Sequence, residues 1–331
     1  MHIDLQTINI KPLRQTYDNV ARHIGGDKPA TRYQEATLGL QPTSNFHYRP
    51  SWDPDHEIFD ASRTALVMAD WYAFKDPRQY YYGSYTLARA RQQEAAESAF
   101  EFVEERNLCD ALDAGLAAAA RDLLVPLRHV AWGANMNHSS MCAYGYGTAI
   151  TQPCLFQAMD QLGIAQYLTR TGLLLGGPAL LDAGKQAWIE GAEWQPLRHL
   201  VEDCLVIEDW FEMFVAQNLA IDGQLYPLVY GSLVEGDFAG RGGIALSMLT
   251  GFMRDWHAET LRWVDAQIRT AVGESEANKA LVQGWLDRYR GRARDALAGL
   301  ARRASPAQAD AMLDDCDSQF RARIAKLGLS A

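Results

Sequence analysis

The sequence predicts an all-α fold: a bundle of long helices preceded by a proline-rich extended N-terminal arm. Three observations carry this. Apolar residues recur at helical spacing, with Leu112, Leu116, Ala119 or Ala120 and Leu123 at i, i+4, i+7 and i+11, and Cys204, Ile207, Phe211, Phe214 and Asn218 at alternating steps of three and four. No segment alternates apolar and polar residues with the period of two that a half-buried strand requires. No unit of roughly 20–50 residues repeats, which excludes a solenoid.

Residues 1–60 form the predicted arm. Five of the twelve prolines fall here (Pro12, Pro29, Pro42, Pro50, Pro54), each blocking helix and biasing its predecessor to an extended form. Tyr17, Tyr33, Phe46, Tyr48 and Trp52 lie between them, too many aromatics for a plain disordered tail. Such anchors need a surface to bury them, either the arm's own domain or another subunit. Tyr17, Tyr33 and Trp52 are the arm's candidate partner-interface residues.

Residues 61–331 read as the helical domain. Asp76 is expected to cap the first long helix and Pro77 to occupy its first turn. Tyr80, Tyr81 and Tyr82 then leave the axis in three directions, roughly 100° apart. One core cannot take all three, so these tyrosines and Arg78, read as pairing across a surface, complete the candidate interface. The stretch Tyr85–Arg106 is rich in strong helix formers, with Ala88, Ala95, Ala99 and Phe102 as a narrow stripe suited to close helix approach. Ala245, Leu249, Phe252, Trp256, Thr260 and Trp263 mark another helix. Breaks are expected at Gly145-Tyr146-Gly147, Gly176-Gly177-Pro178, Asp222-Gly223, Gly236-Asp237 and Gly240–Gly243. Two helices follow, over about 276–303 and, behind a Ser305 cap and Pro306, about 306–327.

Composition narrows the function. With 48% hydrophobic residues, 9 Trp and 14 Tyr, the chain can bury a large core. A net charge of −10 without a basic run argues against nucleic acid. The longest mostly apolar stretch, Gly172 to Leu181, is too short for a bilayer, so no membrane is expected. Met1-His2-Ile3-Asp4 opens no signal-peptide pattern, and the five scattered cysteines suit free thiols; both point to the cytoplasm.

Motifs for nucleophilic catalysis and nucleotide binding are missing: there is no Gly-x-Ser-x-Gly and no glycine-rich phosphate loop. Metal is the serious question. Inward-leaning polar residues on long helices are the layout of a ferritin-like carboxylate bundle. Such a bundle holds two irons with one Glu from each of two helices and a Glu-x-x-His from each of two others. Glu-x-x-His occurs nowhere here. Its echoes, Asn135-Met136-Asn137-His138 and Arg254-Asp255-Trp256-His257, keep the histidine and lose the glutamate. At 100° per residue, a continuous helix from Val201 to Ala220 places Glu208 inside the apolar stripe and Glu212 at its edge. On the helix of Gly243 to Ile268, His257 and Glu259 fall on opposite borders. His199 with Glu202 and Asp203 reads as a solvent-facing ion-pair cluster. Asp53-Pro54-Asp55-His56 lies in the arm, where helical one-face geometry does not apply. No catalytic, cofactor-binding or metal-ligating residue is assigned. The alternatives left open are a stand-alone helical metalloprotein using Glu208, Glu212, Glu235, Asp237 and histidines, and a purely structural interaction protein.

The chain resembles the small (β) oxygenase subunit of bacterial multicomponent monooxygenases, of phenol hydroxylase and toluene monooxygenase type. The resemblance rests on Trp71–Tyr82 leading into Tyr85–Glu94, on Pro126–Met141, on Trp194–Leu219 and on Arg254–Trp263, and extends from about Thr31 to Ile268. It implies a ferritin-like fold. It implies a non-catalytic structural role in an α2β2γ2 hydroxylase whose large α chain carries the di-iron centre, beside a small γ chain. A regulatory protein and an NADH-dependent flavin and iron–sulfur reductase would complete a system that hydroxylates aromatic compounds with O2. No cofactor is implied for this chain itself.

Overall fold

The structure, a computed structural model, describes residues 15–40 and 49–330. Pro12, Pro42, Phe46 and Tyr48 of the predicted arm lie outside the described residues. The described part of the arm is not wholly extended. It contains two short helices, α1 (Asp18–Ile24) and α2 (Arg32–Thr37). Thr31 and Gln34 form a reciprocal capping box that starts α2 in spite of the nearby Pro29. This part packs on its own chain: Asn19 donates to the Leu38 carbonyl, His23 lies against Tyr72, and the Asp76 N–H donates to the Tyr33 hydroxyl.

Beyond the arm every regular element among the described residues is helical. The long ones are α3 (Tyr82–Glu105), α4 (Ala114–Leu124), α5 (Leu127–Tyr144), α6 (Thr148–Gly176), α7 (Pro178–Glu190) and α8 (Gln195–Cys204). A continuous helical run then follows: α9 (Trp210–Phe214), a π-helical stretch (Val215–Ile221), α10 (Asp222–Tyr226) and a second π-helical stretch (Pro227–Phe238). The remainder is α11 (Ile244–Leu249), α12 (Gly251–Glu274), α13 (Glu276–Ala304) and α14 (Ala309–Lys326).

Four expected boundaries change. The first long helix opens at Tyr82, not Asp76. Gln79 takes a positive φ of 53°, so residues 76–79 close a turn, with the Asp76 carboxylate accepting from the Arg78 N–H. Asp222-Gly223 and Gly236-Asp237 do not break the chain, because Gly223 and Gly236 sit inside the helical run. The last helix starts at Ala309, three residues after Pro306, with Ser305 accepting from the N–H groups of Gln308 and Ala309. The small-residue stripe of α3 also faces differently from expectation. The buried residues are Tyr85, Phe100 and Val103, whereas Ala95 and Phe102 are exposed.

The run from Trp210 is the centre of the bundle. Val215 to Gly223 is buried at every position, as a helix surrounded by others must be. α5, α12, α13 and α14 pack round it, and α6 reaches it where Gln161 bonds to the Tyr226 hydroxyl. Trp210, Phe211, Phe214, Trp263 and Trp285 fill one cluster of the core. Leu124, Leu127, Tyr226, Tyr230 and Trp256 fill another. Gly133 on α5 permits α8 to approach, since a Cβ there would collide with Val201.

Candidate functional site

The bundle interior, where a ferritin-like fold would hold metal, contains a chain of amides. On α5, Asn137 donates to Gln217 Oε1 at 2.8 Å, and Gln217 donates in turn to Asp222 Oδ1 at 2.9 Å. One residue on, His138 places Nδ1 2.8 Å from the Ala134 carbonyl and Nε2 2.9 Å from the Asn218 amide. Both ring nitrogens are engaged, and burial holds the imidazole below its ordinary pKa. Asp222 has one carboxylate oxygen without a partner. Burial pushes it up to about 7, against the pull of Gln217 and Arg323.

The second echo of the iron motif is taken apart. Arg254 pairs with Glu235 and donates to Ser247. His257 stacks on Tyr226, rings 5.0 Å apart and 11° from parallel, with Nε2 unpartnered. Burial and the Arg323 charge lower it to about 3. The sign of its linkage follows. The folded pKa is depressed below the unfolded value, so the neutral ring contributes stability above about pH 6.5 and that contribution is lost as pH falls toward 3. His257→Phe keeps the stacking and removes the titration. We expect it to retain at pH 5 roughly 2 kcal/mol that the parent chain loses between pH 6.5 and 5, read by urea denaturation at both pH values.

A buried ionic seam lies beside this interior and joins the turn before α3 to α6 and α12. Arg78 binds Asp76 through two nitrogens, each at 2.9 Å, and lies 3.5 Å from Glu259. Arg89 grips Asp160 with two bonds of 2.7 Å and Glu259 with bonds of 3.1 and 3.0 Å. Asp160 also accepts from the Tyr85 hydroxyl at 2.8 Å and from Trp256 Nε1 at 2.9 Å. Both guanidiniums lie over the Tyr80 ring. Desolvation and the Glu259 charge raise the Tyr80 hydroxyl to about 12. Sequence reasoning missed Asp160 and Arg89. The available signal was a lone acid in a stretch, residues 130–169, that has no other Asp, Glu, Lys or Arg; buried there, it must be paired.

The predicted interface residues separate into two groups. The Arg78 side chain is 1% exposed and pairs within the chain, so the expected pairing across a surface is replaced by Asp76 and Glu259. Tyr33, Tyr80 and Tyr81 are half-buried. Tyr17, Trp52 and Tyr82 stand out at 62, 74 and 74% exposed.

The carboxylates weighed as metal ligands disperse. The helix expected over 201–220 stops at Cys204, leaving Glu208 exposed in the connection to α9. Glu212 accepts from Tyr289 and Arg288, and Asp237 pairs with Arg241. His199 is exposed, while Glu202 and Asp203 pair with Arg198 and Arg292. Asp53 and His56 do meet, at 2.9 Å, with Arg63 on the other oxygen, because a turn brings them together where a helix does not. Among the described residues no three His, Cys, Asp or Glu side chains converge as a metal site, and no helix is long and apolar enough to cross a membrane. All five cysteines are free. A carboxylate-bridged pair of irons does not fit these donors. Asp160 is neutralised by Arg89, and Asp222 stands among amides.

Known proteins fall in line with this geometry. Residues 52–275 match the family described as Methane/Phenol/Alkene Hydroxylase. The chain is 47% identical to the oxygenase component DmpL of phenol 2-monooxygenase from Pseudomonas sp. (strain CF600), over 100% of this chain and 99% of that one. It is 26% identical to the hydroxylase component subunit beta of the toluene-4-monooxygenase system from Ectopseudomonas mendocina, over 67% and 68% of the two chains. In structure it matches a chain of phenol hydroxylase from Pseudomonas sp. OX1 with a TM-score of 0.93 and 44% identity, over 99% of both. A chain of toluene 4-monooxygenase shares the fold, with a TM-score of 0.79 and 22% identity over 89% of this chain and 99% of that one. The chain belongs to the methane, phenol and alkene hydroxylase family, among its small oxygenase subunits of phenol hydroxylase type, with their ferritin-like fold.

Proposed function

We propose that this chain is the non-catalytic small subunit of the hydroxylase component of an O2- and NADH-dependent di-iron monooxygenase that hydroxylates aromatic compounds of the phenol or toluene kind. Its relatives are oxygenase and hydroxylase components of such systems. One observation carries the non-catalytic half of the reading. The positions that a Glu-x-x-His motif gives to glutamates hold Asn135 and Arg254, both only half-buried, and the neighbouring interior polar groups bond to one another as Asn137–Gln217–Asp222 and His138–Asn218. Amides in these places are poorer iron ligands than carboxylates, and among the described residues no three His, Cys, Asp or Glu side chains converge beside them.

In this reading the iron resides in a large α chain, and this chain supports it within an α2β2γ2 assembly. A regulatory protein and an NADH-dependent flavin and iron–sulfur reductase supply the remaining parts. Tyr17, Trp52 and Tyr82 are proposed as contacts with another chain, because large aromatics this exposed are the residues that anchor interfaces. The stand-alone metalloprotein reading needs Glu208, Glu212, Glu235 and Asp237 to converge, and each faces solvent or a partner of its own.

The test is co-expression with a larger chain that carries two Glu-x-x-His motifs, followed by purification and elemental analysis. The expected result is a stable complex with about two irons per large chain and none retained by this chain when separated. Stoichiometric iron on the separated chain, abolished by His138→Ala or His257→Ala, would overturn it.

A further inference from the structure

A small cavity lies beside the amide chain, between α5, α6 and the central helical run. Its volume is about 10 Å³, and every residue that lines it is buried. Most of the wall is apolar, and the short side chains of Ala131 and Ala134 leave the space on the α5 side. The polar residues on it are Asp222, Tyr226 and Tyr230 of the run and Gln161 of α6.

Two of these side chains are short of hydrogen bonds from the protein. Asp222 Oδ1 accepts from Gln217, but Oδ2 is buried without a donor, which is costly. The Tyr226 hydroxyl lies 3.2 Å from Nε2 and 3.3 Å from Oε1 of the same Gln161 amide. Normal bonds measure about 2.7–3.2 Å from an N–H and about 2.5–3.0 Å from an O–H, so these contacts stand at and beyond the long end. The cavity and the unmet groups match one water. A buried water needs about 10–15 Å³ and two to four polar partners. Other occupants fit less well. A metal ion needs more than one carboxylate, and among the described residues no three His, Cys, Asp or Glu converge here. An apolar group leaves Asp222 Oδ2 unmet. Water also serves either form of Asp222, accepting from the protonated oxygen and donating to the ionised one.

We propose that this cavity is a binding site for one structural water, held by Asp222 Oδ2, the Tyr226 hydroxyl and the Gln161 side chain. The water carries the chain Asn137–Gln217–Asp222 across to α6, so that α5, the central run and α6 share one hydrogen-bonded path. A bound water of this kind is part of the fold, because removing it leaves the carboxylate oxygen without a partner. The competing partner for Asp222 Oδ2 is Arg323. Its charge acts on Asp222 and its Nη1 is unbonded, but Asp265 holds its Nε at 2.9 Å.

The experiment is high-resolution diffraction from crystals of the full chain, with Asp222→Asn and Asp222→Leu beside it. The parent is expected to show a single well-occupied peak within about 3.2 Å of Asp222 Oδ2, the Tyr226 hydroxyl and Gln161. The peak is expected to persist in Asp222→Asn, whose amide still bonds to it, and to be lost in Asp222→Leu, which has the bulk and no polar atom. Relaxation dispersion of ¹⁷O-labelled water reads the same site in solution, with one long-lived water fewer per chain in Asp222→Leu than in the parent. Should Asp222→Leu fail to fold, the parent crystal decides alone. A parent without the peak, or with Asp222 Oδ2 bonded directly to Arg323, overturns the proposal. So does a peak with oxygen contacts of about 2.3–2.6 Å, which is a cation. A peak that stays fully occupied in Asp222→Leu overturns it too, since Asp222 then does not hold the water.

Discussion

Asp160→Ala lowers the stability of this chain by about 3–5 kcal/mol, the cost of leaving a buried charge without its partner. Its melting temperature is expected to fall by about 4–7 °C. The substitution takes an acceptor from three donors at once: Trp256 Nε1 loses its partner, the Tyr85 hydroxyl keeps only the Phe156 carbonyl at 3.4 Å, and the Arg89 guanidinium keeps Glu259 and Gln92. Arg89 is 12% exposed on its side chain and Asp160 2%, so water does not replace the lost bonds. Asp160→Asn keeps the shape and removes the charge. It is expected to cost less, because the amide oxygen still accepts from Trp256 or Tyr85. The pair is one unit, so Arg89→Ala combined with Asp160→Ala should cost clearly less than the sum of the two singles. Arg170→Ala is the control. Its pair with Glu97 is about a third exposed on each side, and its removal is expected to cost below about 1 kcal/mol. Thermal and urea unfolding of the five variants read all of this. Equal losses for Arg170→Ala and Asp160→Ala would show that the seam is no different from the surface.

The helical class was legible because it rests on periodicity, which survives errors of a residue or two. The expected helix of Gly243 to Ile268 shows both sides of this: it is split at Thr250 into α11 and α12, yet within α12 Trp256 and Trp263 are fully buried, and His257 and Glu259 flank them as the spacing places them. The interior was less legible, for two physical reasons. Residues 205–209 leave the helix after Cys204, so the phase carried from Val201 to Glu208 is lost there. The run from Val215 then adopts π geometry, whose i→i+5 bonding turns each side chain less far than the 100° step assumes. Glu208 thus lies outside, Gln217 and Asp222 lie inside, and Asn218 stays buried where the spacing places it. Turns failed in a similar way. Asp76-Pro77 has the chemistry of a helix start, but it caps a turn closed by Gln79 at positive φ, a geometry that no helix-start rule anticipates. Arg78 followed that error inward. What remained readable throughout was the loss of both glutamates, because a missing motif does not depend on register.

Asp222→Asn is expected to stabilise the chain at alkaline pH and to do little in acid. Asp222 is 3% exposed, and its Oδ2 has no hydrogen-bond partner. Arg323 stands close enough to lower its pKa but is itself bonded to Asp265 at 2.9 Å. Burial wins, and the folded-state value rises from 3.8 to about 7. Below pH 4 both folded and unfolded chains hold the proton, and the contribution to stability is complete. Between pH 4 and 7 the unfolded chain releases the proton while the folded chain keeps it, so stability falls as pH rises. Above pH 7 the loss is complete, on the order of 4 kcal/mol before the Arg323 attraction lost on substitution is discounted. Asparagine retains the oxygen that accepts from Gln217 Nε2 and never ionises. The net gain expected at pH 8.5 is therefore roughly 2–4 kcal/mol, shrinking toward zero at pH 4.5. Guanidinium denaturation of parent and variant at pH 4.5, 6.5 and 8.5 gives the three differences directly. Should Asp222→Asn destabilise the chain at pH 8.5 more than at pH 4.5, the carboxylate is ionised in the fold. Arg323, rather than burial, would then govern this end of the amide chain.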